Sequence, residues 1–332
     1  MDINAGEPVS EGMTSMNLTG LHHVTAICAD AVGNHQFYTQ VLGMRMVKRT
    51  VNQDDTSAYH LFYGDGRATP GSDITFFQWP VPPAKRGTRS IIRTGLRVTG
   101  KATLEWWVQR LDAAGVRHGG ILERNGRLVL DFEDPEGQRL SLVDDGGAGE
   151  GEIWERSPVP AEHQIRGLGP LALSVADLKP TDMILQQLLG LNPAGSFRDA
   201  RLADGDVQVY AIGQGGPSAE LQVAVEPHKP AGMEGAGAVH HVALRIPTIE
   251  AYDAWAKRLA DVRYPNSGPV DRHYFRSLYF CEPNGILFEL ATDGPGFDVD
   301  EPMETLGEKL ALPPFLEARR HSIEKGLRPL TG

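Results

Sequence analysis

One weak pattern recurs four times along the 332-residue chain, and it restricts the fold more than any other feature. The first copy opens with the strand-like run LHHVTAICAD, passes through the helical pattern AVGNHQFYTQVLGM and closes in AYHLFYGD and DITFFQW. The second reads IIRTGLRVTG, KATLEWWVQRLDAAGV and RLVLDFEDPEGQRLSLVDD, and the third LGPLALSVAD, PTDMILQQLLGL, DVQVYAIG and AELQVAVE. The fourth reads AVHHVALRIP, TIEAYDAWAKRLADV and SLYFCEPNGILFELATD. Apolar residues keep helical spacing in the middle segments, as in Phe37, Val41 and Leu42 or Leu104, Trp107 and Leu111. The closing runs turn at DPEG and EPNG, with glycine where a positive φ is useful. Each copy is a βαβββ unit of roughly fifty to sixty residues with one sheet face left uncovered.

Two such units can pair into a curled, barrel-like sheet with a concave interior. The expected fold class is therefore α+β, with four βαβββ modules paired into two curled barrel-like sheets. Along the chain we expect a flexible N-terminal tail (1–18), an N-terminal domain of two modules (19–150) and a C-terminal domain (151–332). The boundary falls in the polar, Pro-containing stretch GEIWERSPVPAEHQ, and the second domain ends in a Pro-broken loop and an amphipathic helix packed on an outer face.

Superposing the opening strands places His23, Arg93, Pro170 and His241 in one column. Superposing the closing strands places Gln78, Ser141, Glu220 and Glu289 in another. If the first and last units pair, His23, His241 and Glu289 converge inside one sheet, while the other pair offers no metal site. Two imidazoles and one carboxylate form a facial triad with open coordination positions, the pattern of non-haem Fe(II) oxygenases. Mn(II) fits the same donors. His35, His60, His118, His163, His228 and His321 have no repeat-equivalent support and are expected on the surface or in packing roles. Phe76, Phe77 and Trp79, in a closing strand, are expected in the core.

The bulk properties exclude other classes. A net charge of −11 argues against a nucleic-acid-binding surface, and no apolar run is long enough to span a bilayer. The opening stretch has neither the basic region nor the apolar run of a signal peptide. Cys28 and Cys281 form neither a disulfide framework nor a thiolate site, which fits a cytoplasmic protein.

The blocks HHVTAICAD, FYTQVLGMRMVKRTVNQDD and YHLFYGD, together with DRHYFRSLYFCEPNGILFELATDGPGF, resemble the two ends of vicinal-oxygen-chelate ring-cleaving dioxygenases, the hydroquinone dioxygenases in particular. The resemblance implies metal ligands from the first and fourth units, matching His23, His241 and Glu289. It further implies that His22, Thr25, His240, Arg272 and Tyr279 line or support the substrate site. Arg272 would hold an anionic oxygen, and His240 or Tyr279 would exchange a proton. Strand alternation turns His22 and His240 away from the ligand face unless a bulge, a strand end or a supporting role intervenes. The implied partners are an aromatic diol and O₂, the implied cofactor is Fe(II), and a homo-oligomer is expected. Two rivals are a glyoxalase-like isomerase or lyase, for which Gln78 would supply a fourth ligand, and a small-molecule-binding protein without turnover.

Overall fold

The computed structural model describes residues 16–202 and 205–330. Most of the expected N-terminal tail therefore lies outside the described residues. Unit 1 comprises β1 (Leu21–Cys28), α1 (Ala31–Gln36, continuing as a π turn through Val41), β2 (Arg45–Val51), β3 (Tyr59–Gly64) and β4 (Asp73–Gln78). Unit 2 comprises β5 (Ser90–Val98), α2 (Lys101–Ala113), β6 (His118–Arg124), β7 (Arg127–Glu133) and β8 (Arg139–Asp144). Unit 3 comprises β9 (Leu168–Val175), α3 (Leu178–Met183, also followed by a π turn), β10 (Asn192–Arg198), β11 (Asp206–Ala211) and β12 (Glu220–Val225). Unit 4 comprises β13 (Val239–Ile246), α4 (Ile249–Asp261), β14 (Val270–Asp271), β15 (Phe275–Cys281) and β16 (Leu287–Pro295).

The sequence explains where these helices begin. Asp30, Asp177 and Thr248 each follow a first strand, and their side chains accept hydrogen bonds from the amides of Val32, Lys179 and Ala251. Such caps satisfy amides that have no partner within the helix. The inner faces then bury Leu104, Trp107 and Leu111 on α2, and Tyr252, Trp255 and Leu259 on α4. Complete burial of each such leucine contributes roughly 1.5–3 kcal/mol. Gly137 and Gly285 close the DPEG and EPNG turns with φ of 88° and 94°.

The result is a mixed α+β fold in which each unit pairs its first and last strands in parallel: β1 with β4, β5 with β8, β9 with β12 and β13 with β16. Antiparallel pairing joins β1 to β13 and β5 to β9, so unit 1 meets unit 4 and unit 2 meets unit 3. Among the named strands, the pair Val239↔Ile91 joins the two assemblies into one sheet, and backbone bonds such as Leu168 N–H to Gly71 O at 2.8 Å also cross between them. The C-terminal segment forms two short helices (Pro314–Glu317 and Arg320–Gly326) where one was expected, and Leu312, Leu316 and Ile323 pack on Val51 of β2. Cys28 is buried, as a small core residue should be. No helix among the described residues is long and apolar enough to cross a membrane.

Candidate metal centre

The β1–β13 pairing brings units 1 and 4 together, and with them His23, His241 and Glu289. Their donor atoms all lie within 4.8 Å of one another, and all three residues are buried. Nε2 of His23 and Nε2 of His241 stand 3.1 and 3.0 Å from the same Glu289 oxygen. Neither contact has hydrogen-bond geometry, and both carboxylate oxygens are buried without a hydrogen-bond donor. A fully buried carboxylate with no donor is costly unless a cation compensates it. Two donors about 2.1 Å from one ion and at right angles lie about 3.0 Å apart, so a single divalent ion fits this spacing.

The protonation states agree with that role. Burial is the largest influence on His241 and lowers its pKa to about 4, which leaves the imidazole neutral. For Glu289 burial opposes ionisation, but His23 and His241 outweigh it and hold the carboxyl well below its usual range.

His22 and His240 lie beside the ligands because both are bulge residues. The register passes from Leu21↔Leu244 to His23↔Ala243, and from Thr25↔His241 to Ala26↔Val239, so each bulge contains one of these histidines as its extra residue. Each therefore meets its neighbour ring to ring, His22 Nδ1 at 2.8 Å from His23 Nδ1 and His240 Nδ1 at 2.8 Å from His241 Nδ1. A ligand imidazole that offers Nε2 to an ion carries its proton on Nδ1, so His22 and His240 accept there and bear their own protons on Nε2. For His22 that proton points to the carbonyl of Thr292, 3.1 Å away. His240 instead borders a second cavity and lies outside the pocket over the triad. Replacing His22 by Phe is expected to weaken metal binding by about 10–100-fold without unfolding the protein. Competition with a chromogenic chelator measures this, and unchanged affinity would dismiss the supporting role.

The pocket over the triad is lined by Thr25, His60, Phe62, Phe77, Arg272 and Tyr279, among others. Tyr279 lies opposite Glu289 in the β15–β16 register, and its ring meets that of His241 edge-on at 5.7 Å. Burial, then the nearby Glu289 charge, pushes the Tyr279 phenol well up, so it keeps its proton. Arg272 Nε donates to the Tyr279 hydroxyl at 3.3 Å, and its guanidinium reaches Asp54 at the rim at 2.9 Å.

Four expectations need correction. Gln78 is no ligand, because its amide donates to Ala29 O at 3.3 Å. The register pairs Thr25 with Thr75 just as it pairs Ala243 with Glu289, so Thr75 is the true counterpart of Glu289. By the same reasoning, Ala172 pairs with Gln222, which makes Gln222 rather than Glu220 the unit 3 counterpart. His60 is no surface or packing histidine, since it lines the pocket with Nε2 at 3.0 Å from Thr75 Oγ1, itself 2.9 Å from Thr25 Oγ1. Phe76 is core, but Phe77 faces the pocket.

His60 carries no signal within its own strand, and only the pairing of β3 with β4 reveals it. Phe62 pairs with Thr75 as Tyr279 pairs with Glu289, so period two from Phe62 puts His60 on the ligand face.

The chain resembles proteins of known name over nearly its whole length. It is 45% identical over 317 residues to "Putative ring-cleaving dioxygenase MhqA" of Bacillus subtilis, covering 95% of this chain and 100% of that one. It is 31% identical over 313 residues to the chlorohydroquinone/hydroquinone 1,2-dioxygenase of Sphingobium indicum, covering 92% and 94%. A crystal structure of a "putative dioxygenase" from Bacillus subtilis superposes with a TM-score of 0.86 at 36% identity, covering 94% and 97%. The family model matches twice, at residues 20–142 and 167–290, and the chain belongs to the Glyoxalase/Bleomycin resistance protein/Dioxygenase superfamily.

Proposed function

We propose that the chain is an Fe(II)-dependent dioxygenase that opens the ring of an aromatic diol, with para-hydroquinones as its substrate class. The observation that carries this reading is a buried carboxylate without hydrogen-bond donors, flanked by two neutral-capable imidazoles, at the floor of an aromatic pocket with one arginine. The names of the relatives agree with it. His23, His241 and Glu289 would hold the ion; Mn(II) fits the same donors. When bound, the ion supplies the redox link between ring and O₂.

The chain's own residues do the rest. Phe62, Phe77 and Phe275 offer apolar walls to a ring and exclude water from it. Arg272, permanently charged, holds a phenolate oxygen by charge-assisted hydrogen bonds. Tyr279 keeps its proton and donates a hydrogen bond to developing negative charge. Thr25, Thr75 and His60 form a polar chain along the opposite wall. His22 and His240 act through the ligands they touch and hold each ring in one tautomer. The ring bond broken joins a hydroxyl-bearing carbon to its neighbour, and each end receives one atom of O₂. Free space over the triad is about 40 Å³, room for roughly three waters. In this reading units 1 and 4 curl around the triad as one barrel-like sheet and units 2 and 3 form its counterpart.

The test is O₂ uptake by anaerobically Fe(II)-loaded protein, with hydroquinone, methyl- and chloro-hydroquinone and catechol compared. Stoichiometric uptake with a para-diol, abolished in His241→Ala, is expected. Absence of uptake with every diol, despite bound metal, would reject the dioxygenase reading in favour of an isomerase or a binding protein.

A further inference from the structure

A second cavity, of about 310 Å³, lies where unit 2 meets the linkers between units 1 and 2 and between units 3 and 4. The linkers run together through the pairs Pro83↔Ala236, Lys85↔Met233 and Thr88↔Ala231. One wall is apolar, built from Ile91, Ile286 and Leu287, and Ile92 adds apolar surface from the other face of β5. Five cationic residues also line it, in a chain whose net charge is −11: Lys85, Arg86, Arg89, Arg93 and Arg139.

Internal pairing consumes only part of this charge. Arg86 is committed to Glu133 at 2.8 Å and to Gly137 O at 3.0 Å. Glu136, one of two acids in the lining, turns its carboxylate to the amides of Ala29 and Asp30, leaving Glu234. Arg93 has its nearest carboxylate, Asp199, at 3.9 Å. Arg139 is half-buried, and its guanidinium has no hydrogen-bonding or ion-pair partner among the described residues. The register Thr94↔Leu140 also places Arg93 beside Arg139 on adjacent strands, about 4.8 Å apart. Two neighbouring guanidiniums repel one another, and Asp199, which Arg93 shares with Arg124 and Arg201, offsets this only in part.

Arg93 occupies the position that His23 holds in the other assembly, and Pro170 and Gln222 replace His241 and Glu289. Of these three replacements only Arg93 borders the cavity. We propose that this cavity binds a small organic carboxylate, with Arg139 and Arg93 holding the carboxylate and the isoleucine wall covering an apolar ring or chain. The guanidinium fork matches a carboxylate, the volume suits a single-ring molecule, and the apolar wall favours an organic over an inorganic anion. His240 borders the same cavity, so an occupant would lie one imidazole away from His241.

Titration calorimetry on the full chain tests this with benzoate against its neutral isostere benzamide. The readout is binding heat, so it stands or falls apart from turnover of any diol. Benzoate is expected to bind at least tenfold more tightly than benzamide, and Arg139→Gln to weaken benzoate by about 10–100-fold. Arg89→Gln, at an exposed position where folding is not at stake, is expected to weaken it by about threefold. The proposal is overturned by equal binding of the two ligands or by no heat up to about 10 mM benzoate. It is equally overturned by unchanged benzoate affinity in Arg139→Gln, or in Arg89→Gln should the first variant fail to fold.

Discussion

Glu289→Gln is expected to strip the protein of its metal and abolish diol-dependent O₂ uptake, while leaving the metal-free fold as stable as before or more so. The substitution keeps the size of the side chain and removes its charge. In the wild-type chain Glu289 is fully buried and neither oxygen receives a hydrogen bond. Its ionised form is therefore the main favourable partner for a dication and, without one, a burden on the fold. The neutral amide reverses both properties. Metal affinity should fall by more than the roughly 10–100-fold expected when only a supporting histidine is lost. Metal content by mass spectrometry, O₂ uptake and the thermal midpoint of the metal-free proteins measure the three quantities. A large drop in the metal-free midpoint would mean that Glu289 is a structural carboxylate. Retention of metal and activity would mean that the ion is held elsewhere.

The triad was legible in the sequence because three properties coincided. Its members fall in opening and closing strands, in units that share a period, and only in the first and last copies. Two of the four closing-strand positions were not legible. Place in an apolar run selects Gln78 and Glu220, whereas hydrogen-bond register selects Thr75 and Gln222. Units differ in the length of the loops before the last strand, so equal spacing from a turn does not mean equal position across the sheet. His60 is hidden in the sequence for the same reason, since its place depends on β3 pairing with β4. Strand alternation alone would have turned His22 and His240 away from the site. The two bulges that admit them carry no residue signature, because any residue can be the extra one. Patterns local to one strand were readable, and relations between strands were not.

Lys48→Met is expected to lower the unfolding free energy by about 2–4 kcal/mol, a large share of what holds a domain together. Lys48 lies on β2 with its side chain fully buried, and its ammonium meets Phe297 O at 2.9 Å, Asp300 at 2.7 Å and Glu301 at 2.5 Å. It also stands 4.7 Å over the Tyr274 ring, whose hydroxyl donates to Asp300 at 2.9 Å. This one cation therefore fastens the segment after β16 to unit 1. Removing it leaves two carboxylates side by side. Their side chains are 20% and 12% exposed, so water recovers part of the loss and the effect falls below that of a wholly buried pair. Tyr274 and Phe275 line the pocket over the triad, so slackening here should also raise KM for a diol more than it lowers kcat. Denaturant unfolding measures the first effect, with a lower midpoint and an unchanged slope as the expected result. The triple variant Lys48→Met, Asp300→Asn, Glu301→Gln should regain part of the stability, because it removes the stranded charges along with their partner. If Lys48→Met alone shifts stability by less than about 0.5 kcal/mol, the acids are adequately hydrated without it, and apolar packing of Phe297 against Phe62 holds the segment instead.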